Sequence, residues 1–115
     1  MKQILFDTSF ILSSVRNKLD LFEELQEYKI IIPEQVLVEL RGLAKSKSEA
    51  ALSLKILEKN KFEKPDLKTK NTDQGIKDFA NENPTTIIAT LDKEIKQAID
   101  NQKLVVRAKK KLEIV

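Results

Sequence analysis

Four carboxylates occupy positions from which a chain of alternating strands and helices could bring them together: Asp7, Glu39, Asp73 and Asp92. Asp7 ends the apolar run Ile4-Leu5-Phe6, Asp92 follows the run Thr85–Thr90 by two residues, and Asp73 lies at a helix start beside Thr72. In an open parallel sheet the C-terminal edge of the strands is where ligands bind, so Asp7 is the point from which the other acids are read. Asp7 taken alone equally suits a cap on the helix that follows it. Glu39 falls among Val36, Leu40 and Leu43, at a position expected to face inward. An inward glutamate is costly unless something pairs with it, and Arg41 projects about 200° away round the helix. Clustered carboxylates repel one another unless cations neutralise them, and oxygen-only ligands favour Mg²⁺ or Mn²⁺ over zinc. One or two such ions could activate a water, orient a phosphodiester and stabilise charge on its leaving oxygen. Thr8 and Thr90 could orient these carboxylates or bind a metal-held water, although each also suits a cap or a strand.

Composition narrows the chemistry further. The 115 residues include no cysteine and no histidine, which removes disulfides, thiol nucleophiles, the usual zinc sites and every imidazole-dependent scheme. Charged residues make up 34% and apolar residues 41%, with five Phe, one Tyr and no Trp, as expected of a soluble domain with an aliphatic core. The length suits a single domain spanning residues 1–115. No apolar run approaches the roughly 20 residues that cross a bilayer, and Met1 leads into a strand rather than a signal sequence. The expectation is a cytoplasmic protein with no membrane partner.

The elements that must carry the acids follow from periodicity. Residues 2–6 read as a first strand and Thr8–Val15 as a short helix. Leu19, Leu21, Phe22, Leu25 and Tyr28 recur at helical spacing, with Glu23, Glu24 and Glu27 outward. Lys29–Ile32 is a second strand, and Pro33 opens a helix carrying Val36, Leu37, Leu40 and Leu43, with Gly42 inside the pattern. A further helix starts at Ser48; Lys61–Pro65 suggests a short edge strand, and Lys68–Asn71 a polar, mobile connection. Thr72 or Asp73 is expected to cap the next helix, Thr85–Thr90 to form a buried strand, Lys93–Asn101 a helix, Lys103–Arg107 a strand and Leu112–Val115 a small final one. Strands alternating with helices predict an α/β fold: three layers, α/β/α, around a mainly parallel sheet of four to five strands.

Charge is segregated along the chain. Residues 1–40 carry four basic and seven acidic side chains, residues 41–70 nine and four, residues 71–102 three and six, and residues 103–115 five and one. Basic surroundings about an acidic centre suit a protein that grips a phosphate backbone while holding cations. Arg41, Lys45, Lys47, Lys68, Lys70, Lys93 and Arg107 are the candidates for contact with such a backbone, against the plainer reading that lysines solvate helix faces.

On Phe6-Asp7-Thr8-Ser9, Val36-Leu37-Val38-Glu39-Leu40, Thr72-Asp73 with Ile76 and Ala80, and Ala89-Thr90-Leu91-Asp92-Lys93-Glu94-Ile95, the chain resembles a PIN domain over nearly its whole length. The resemblance implies a Rossmann-like sheet between helices, an acidic cleft at the strand ends and RNA cleavage with Mg²⁺ or Mn²⁺. Asp7, Glu39, Asp73 and Asp92 match the acids of that family's site, and Thr90 its accompanying hydroxyl. The segment Thr90–Ile95 and the ending Val105-Val106-Arg107 look most like the ribosomal-RNA-processing branch, in which Arg107 has a matching position. Ser9 departs from the Asn that many relatives carry. The same site serves ribonuclease toxins, so an antitoxin, a ribosome-assembly factor or a second copy of the chain are the protein partners to consider beside RNA. A non-catalytic RNA-binding module is the rival reading. A phosphate-accepting receiver domain fits poorly, because Asp7 stands alone after the first strand and Arg107, not a lysine, ends the last one.

Overall fold

Ile4, Leu5 and Phe6 carry branched or aromatic side chains in succession, which suits a strand covered on both faces, and in the computed structural model they are fully buried in its central strand. All 115 residues are described. In chain order the elements are β1 (Gln3–Phe6), α1 (Thr8–Arg16), α2 (Leu21–Glu24), β2 (Lys29–Ile31), α3 (Glu34–Leu43), α4 (Ser48–Glu58), α5 (Thr72–Glu82), β3 (Ile87–Ala89), α6 (Lys93–Ala98), β4 (Leu104–Arg107) and β5 (Lys111–Ile114). The parallel sheet has the order β2-β1-β3, with Ile4 opposite Ile30 on one side and Ile87 on the other. The chain thus leaves β1 toward one neighbour and later returns to its opposite side, making the C-terminal end of β1 a topological switch point.

The sheet has three strands rather than the four or five expected. Two outer positions are filled by single residues: Glu63 bridges to Ile31 beyond β2, and Lys103 to Ile88 beyond β3. The last two runs pair with each other as an antiparallel hairpin, Leu104 opposite Ile114. Its turn places Ala108 and Lys109 at φ of 49° and 68°, which residues other than glycine or asparagine seldom signal in advance.

The helices flank the sheet: α1, α3 and α4 pack on one another, and α5 packs on α6. Together they enclose one cluster of 23 buried apolar residues. Phe6 and Phe10 stack with ring centroids 5.9 Å apart, and Phe22 meets Phe6 edge-on at 6.3 Å. None of the helices is long and apolar enough to cross a membrane.

Four local expectations need correction. α2 stops at Glu24 instead of running to Tyr28, because the chain must turn before β2 and the Tyr28 amide closes back on the Leu25 carbonyl. The segment at Lys61–Pro65 contributes only the bridge at Glu63, and α6 ends at Ala98. The cap of α5 is Asn71, whose side chain accepts from the Gln74 amide at 3.0 Å, so neither Thr72 nor Asp73 is used for capping. That leaves the Asp73 carboxylate free for other partners.

Candidate active site

β1 and β3 set the fixed wall of the site. The Asp7 amide continues their ladder by donating to the Ala89 carbonyl at 2.9 Å, which brings the first residues beyond both strands side by side. Asp7 is only 5% exposed and caps α1: Oδ1 accepts from the Thr8 amide and Oδ2 from the Thr90 hydroxyl, each at 2.7 Å. Thr90 Oγ1 in turn accepts from the Asp92 amide at 3.1 Å, while Asp92 Oδ1 caps α6 through the amides of Glu94 and Ile95. The Thr8 and Thr90 hydroxyls thus each donate to an acid, whereas neither residue is the cap or strand residue it also suited, since Asp7 caps α1 and β3 ends at Ala89.

The opposite wall comes from helices. Glu39 on α3 accepts a 2.5 Å hydrogen bond from the Thr8 hydroxyl. It is exposed, not inward as its spacing suggested. Three residues on from Val36, it stands about 60° round the helix from the buried stripe, at the border where a side chain can turn into the cleft. Asp73, in the first turn of α5, is exposed and makes no side-chain hydrogen bond. Asp7, Thr8, Glu39, Asp73 and Asp92 all line one open cleft of about 380 Å³, together with Ser9, Leu12 and Leu91.

The electrostatics of this cleft are one-sided. The four ion pairs of the molecule are Arg16–Glu49, Lys29–Glu63, Arg41–Glu34 and Arg107–Glu113, and none involves a cleft acid. Burial raises the pKa of Asp7 above the ordinary carboxylate range; the hydrogen bonds from Thr90 and Thr8 oppose this, and the nearby charges of Asp73 and Glu39 add to it.

The donor set fits a hard divalent cation. Each Asp7 oxygen accepts one hydrogen bond and keeps a lone pair, and Asp73 keeps both oxygens free. No three of the carboxylates converge on one point at coordinating distance. A spread arrangement of this kind suits Mg²⁺ better than a tight cage would, since that ion retains several waters and takes only one or two carboxylates directly.

The basic candidates lie outside the cleft lining. Arg41 pairs with Glu34 at 3.5 Å beside a separate groove between α3 and α4, and Arg107 pairs with Glu113 across the hairpin at 3.4 Å. Lys45, Lys47, Lys68, Lys70 and Lys93 are exposed without an ion-pair partner. Ser9 has a role that its residue type alone did not disclose. Its hydroxyl accepts from the Leu91 amide at 3.2 Å and ties the loop before Asp92 to α1.

A family model described as "PIN like domain" matches residues 4–111. The chain belongs to the PIN-like domain family. Among solved structures it is similar to that of the PIN domain endonuclease Utp24, with a TM-score of 0.82 and 26% identity over 97% of this chain and 90% of the other. Among curated proteins it is 29% identical to Ribonuclease VapC4 of Methanocaldococcus jannaschii, over 99% of this chain and 97% of that protein.

Proposed function

We propose that this PIN-like protein is an endoribonuclease that hydrolyses RNA phosphodiester bonds with the help of Mg²⁺ or Mn²⁺. The observation that carries the reading is the cleft itself: four carboxylates at the sheet's switch point with no cationic side chain to balance them. Likeness to a ribonuclease and to an endonuclease over nearly the whole chain supports the same reaction class. Asp7, Glu39, Asp73 and Asp92 are the residues that would hold the ion. When bound, the ion supplies Lewis-acid activation of water and charge to offset the leaving oxygen.

The chain's own residues supply the rest. Thr90 and the Thr8 amide hold Asp7 in one rotamer, and Thr8 does the same for Glu39. Lys70 and Lys93, exposed and close in sequence to Asp73 and Asp92, would bind the backbone phosphates of the strand entering the cleft, with Lys45, Lys47 and Lys68 adding to the basic surface. Within this class the segment Thr90–Ile95 favours a role in ribosomal-RNA processing.

The test compares wild type with Asp7→Asn on single-stranded RNA, in Mn²⁺ and in EDTA. Cleavage only by wild type and only with the ion supports the reading. Equal cleavage by both proteins removes it, and ion-independent binding without cleavage favours the non-catalytic module.

A second reading, a ribonuclease toxin restrained by a partner protein, is favoured by an apolar groove of about 420 Å³ among α1, α2 and α4, beside which Leu52 and Ile56 are exposed. Induced expression distinguishes the two. Growth arrest by wild type but not by Asp7→Asn supports the toxin, and normal growth with both argues for processing.

A further inference from the structure

The helix that carries Asp73 is joined to the rest of the site by an irregular segment, and one side chain grips that segment. Gln35, in the first turn of α3, spends both ends of its amide on it: Nε2 donates to Asp66 Oδ1 at 2.8 Å and to the Thr69 carbonyl at 3.4 Å, and Oε1 accepts from the Leu67 amide at 3.1 Å. Asp66 Oδ1 also accepts from the Lys68 amide at 2.8 Å, closing a turn in which Lys68 adopts φ of 54°. The path continues without a gap. Thr69 Oγ1 accepts from the Asn71 amide at 3.1 Å, and Asn71 caps the turn of α5 that contains Asp73.

A separate contact seats the same residues on α5. A Cβ at Gly75 would stand 2.7 Å from Thr69 Cγ2, closer than side chains tolerate, and 3.0 Å from Leu67 Cδ1, a tight contact. Any larger residue would push the Thr69 and Leu67 side chains, and with them the segment, off α5. α3 packs chiefly on α1 and α4 and α5 on α6, so residues 66–71, held to α3 by Gln35 and continuous with α5, form a direct tie between the helices bearing Glu39 and Asp73.

We infer that Gln35 is a positioning residue for the acid site: by clamping residues 66–69 to α3, and through them seating the first turn of α5, it sets where Asp73 stands relative to Glu39. Its functional consequence rests on the reading of the cleft as a divalent-cation site. Glutamine suits the task because it must donate to a carboxylate and accept from an amide at once. Glutamate would lose the donor and put a second negative charge against Asp66.

The test titrates Mn²⁺ calorimetrically into the full chain and follows thermal melting of the same proteins. Gln35→Ala and Gly75→Ala should each weaken Mn²⁺ binding roughly tenfold, the scale of one or two lost hydrogen bonds, and Gln35→Glu should weaken it further. Two compensated proteins should recover most of the loss: Gln35→Glu with Asp66→Asn, which restores a donor–acceptor pair with reversed polarity, and Gly75→Ala with Thr69→Ser, which removes the nearest methyl group. Leu57→Ala, in the buried part of α4, should lower the melting temperature with wild-type Mn²⁺ affinity. Wild-type affinity in both Gln35→Ala and Gly75→Ala, or an equal affinity loss in Leu57→Ala, overturns the positioning role. Hydrogen exchange reads the clamp without any ion: Gln35→Ala should speed exchange at the Leu67, Asn71 and Gln74 amides, and unchanged rates overturn it. A wild type that takes up no Mn²⁺ overturns the cation reading, and with it the functional half of the inference, whatever exchange reports.

Discussion

The two walls of the acidic cleft are built in opposite ways. On one, Asp7 and Thr90 are 5% and 1% exposed, stand at the ends of strands with no exposed side chain, and use nearly every polar atom on each other or on backbone. On the other, Glu39 and Asp73 project from helices into solvent, the first held by a single hydroxyl and the second by nothing directly. The first wall behaves as a fixed anchor whose geometry is set before anything binds. In the proposed cation site the second could adjust to an ion and its waters, since exposed side chains held by one hydrogen bond or none keep their rotamer freedom. This difference would assign location to one side of that site and adaptation to the other.

The comparison can be broken most severely at its anchor. Asp7→Asn should eliminate metal-dependent RNA cleavage while circular dichroism reports an unchanged fold, because asparagine still caps α1. Thr90→Val should cost roughly 10–100-fold in turnover through loss of the group that aims Asp7, measured as kcat with Mn²⁺ in excess. Thr8→Ala, which frees only the adjustable arm Glu39, should cost less, under about tenfold in Mn²⁺ affinity by calorimetry. An order of effects with Thr8→Ala above Thr90→Val would reverse the assignment of anchor and arm.

The smallest effect is one of stability. Asp7 has a pKa raised in the folded state, so the fold holds its proton to higher pH than the unfolded chain does. Its contribution therefore turns unfavourable as pH rises from the ordinary carboxylate range through the raised value, and stays so above it. In EDTA at neutral pH, Asp7→Asn should melt a few degrees above wild type, and the gap should close at acid pH, where both proteins are neutral at this position. A gap of the opposite sign, or one that widens on acidification, contradicts the buried-acid account.

Much of this was legible in the chain. β1, α1, α3, α4 and α5 announce themselves through apolar spacing, Pro33 and polar starts, and the four acids fall on elements whose order alone brings them to one edge. What was not legible depended on tertiary relations. The direction of Glu39 is decided by a border position that a helical repeat resolves poorly. The pairing of β4 with β5 instead of the main sheet depends on a turn at Ala108 and Lys109 that lacks glycine. Gln35 and Asn71 gave no sign at all, since a glutamine and an asparagine beside a polar loop look like surface until their partners are known.

The two single-residue bridges beside the sheet matter for how the molecule behaves at high concentration. Glu63 takes up the outward-facing Ile30 carbonyl of β2 and the Ile32 amide just beyond it, and the Gln102 carbonyl takes the Ile88 amide of β3. Unpaired strand margins are templates on which foreign chains add, and here both are closed, with a charged residue, Glu63 or Lys103, standing at each bridge. The three short, mostly aliphatic strands of the main sheet thus present few free backbone groups on which another chain could add.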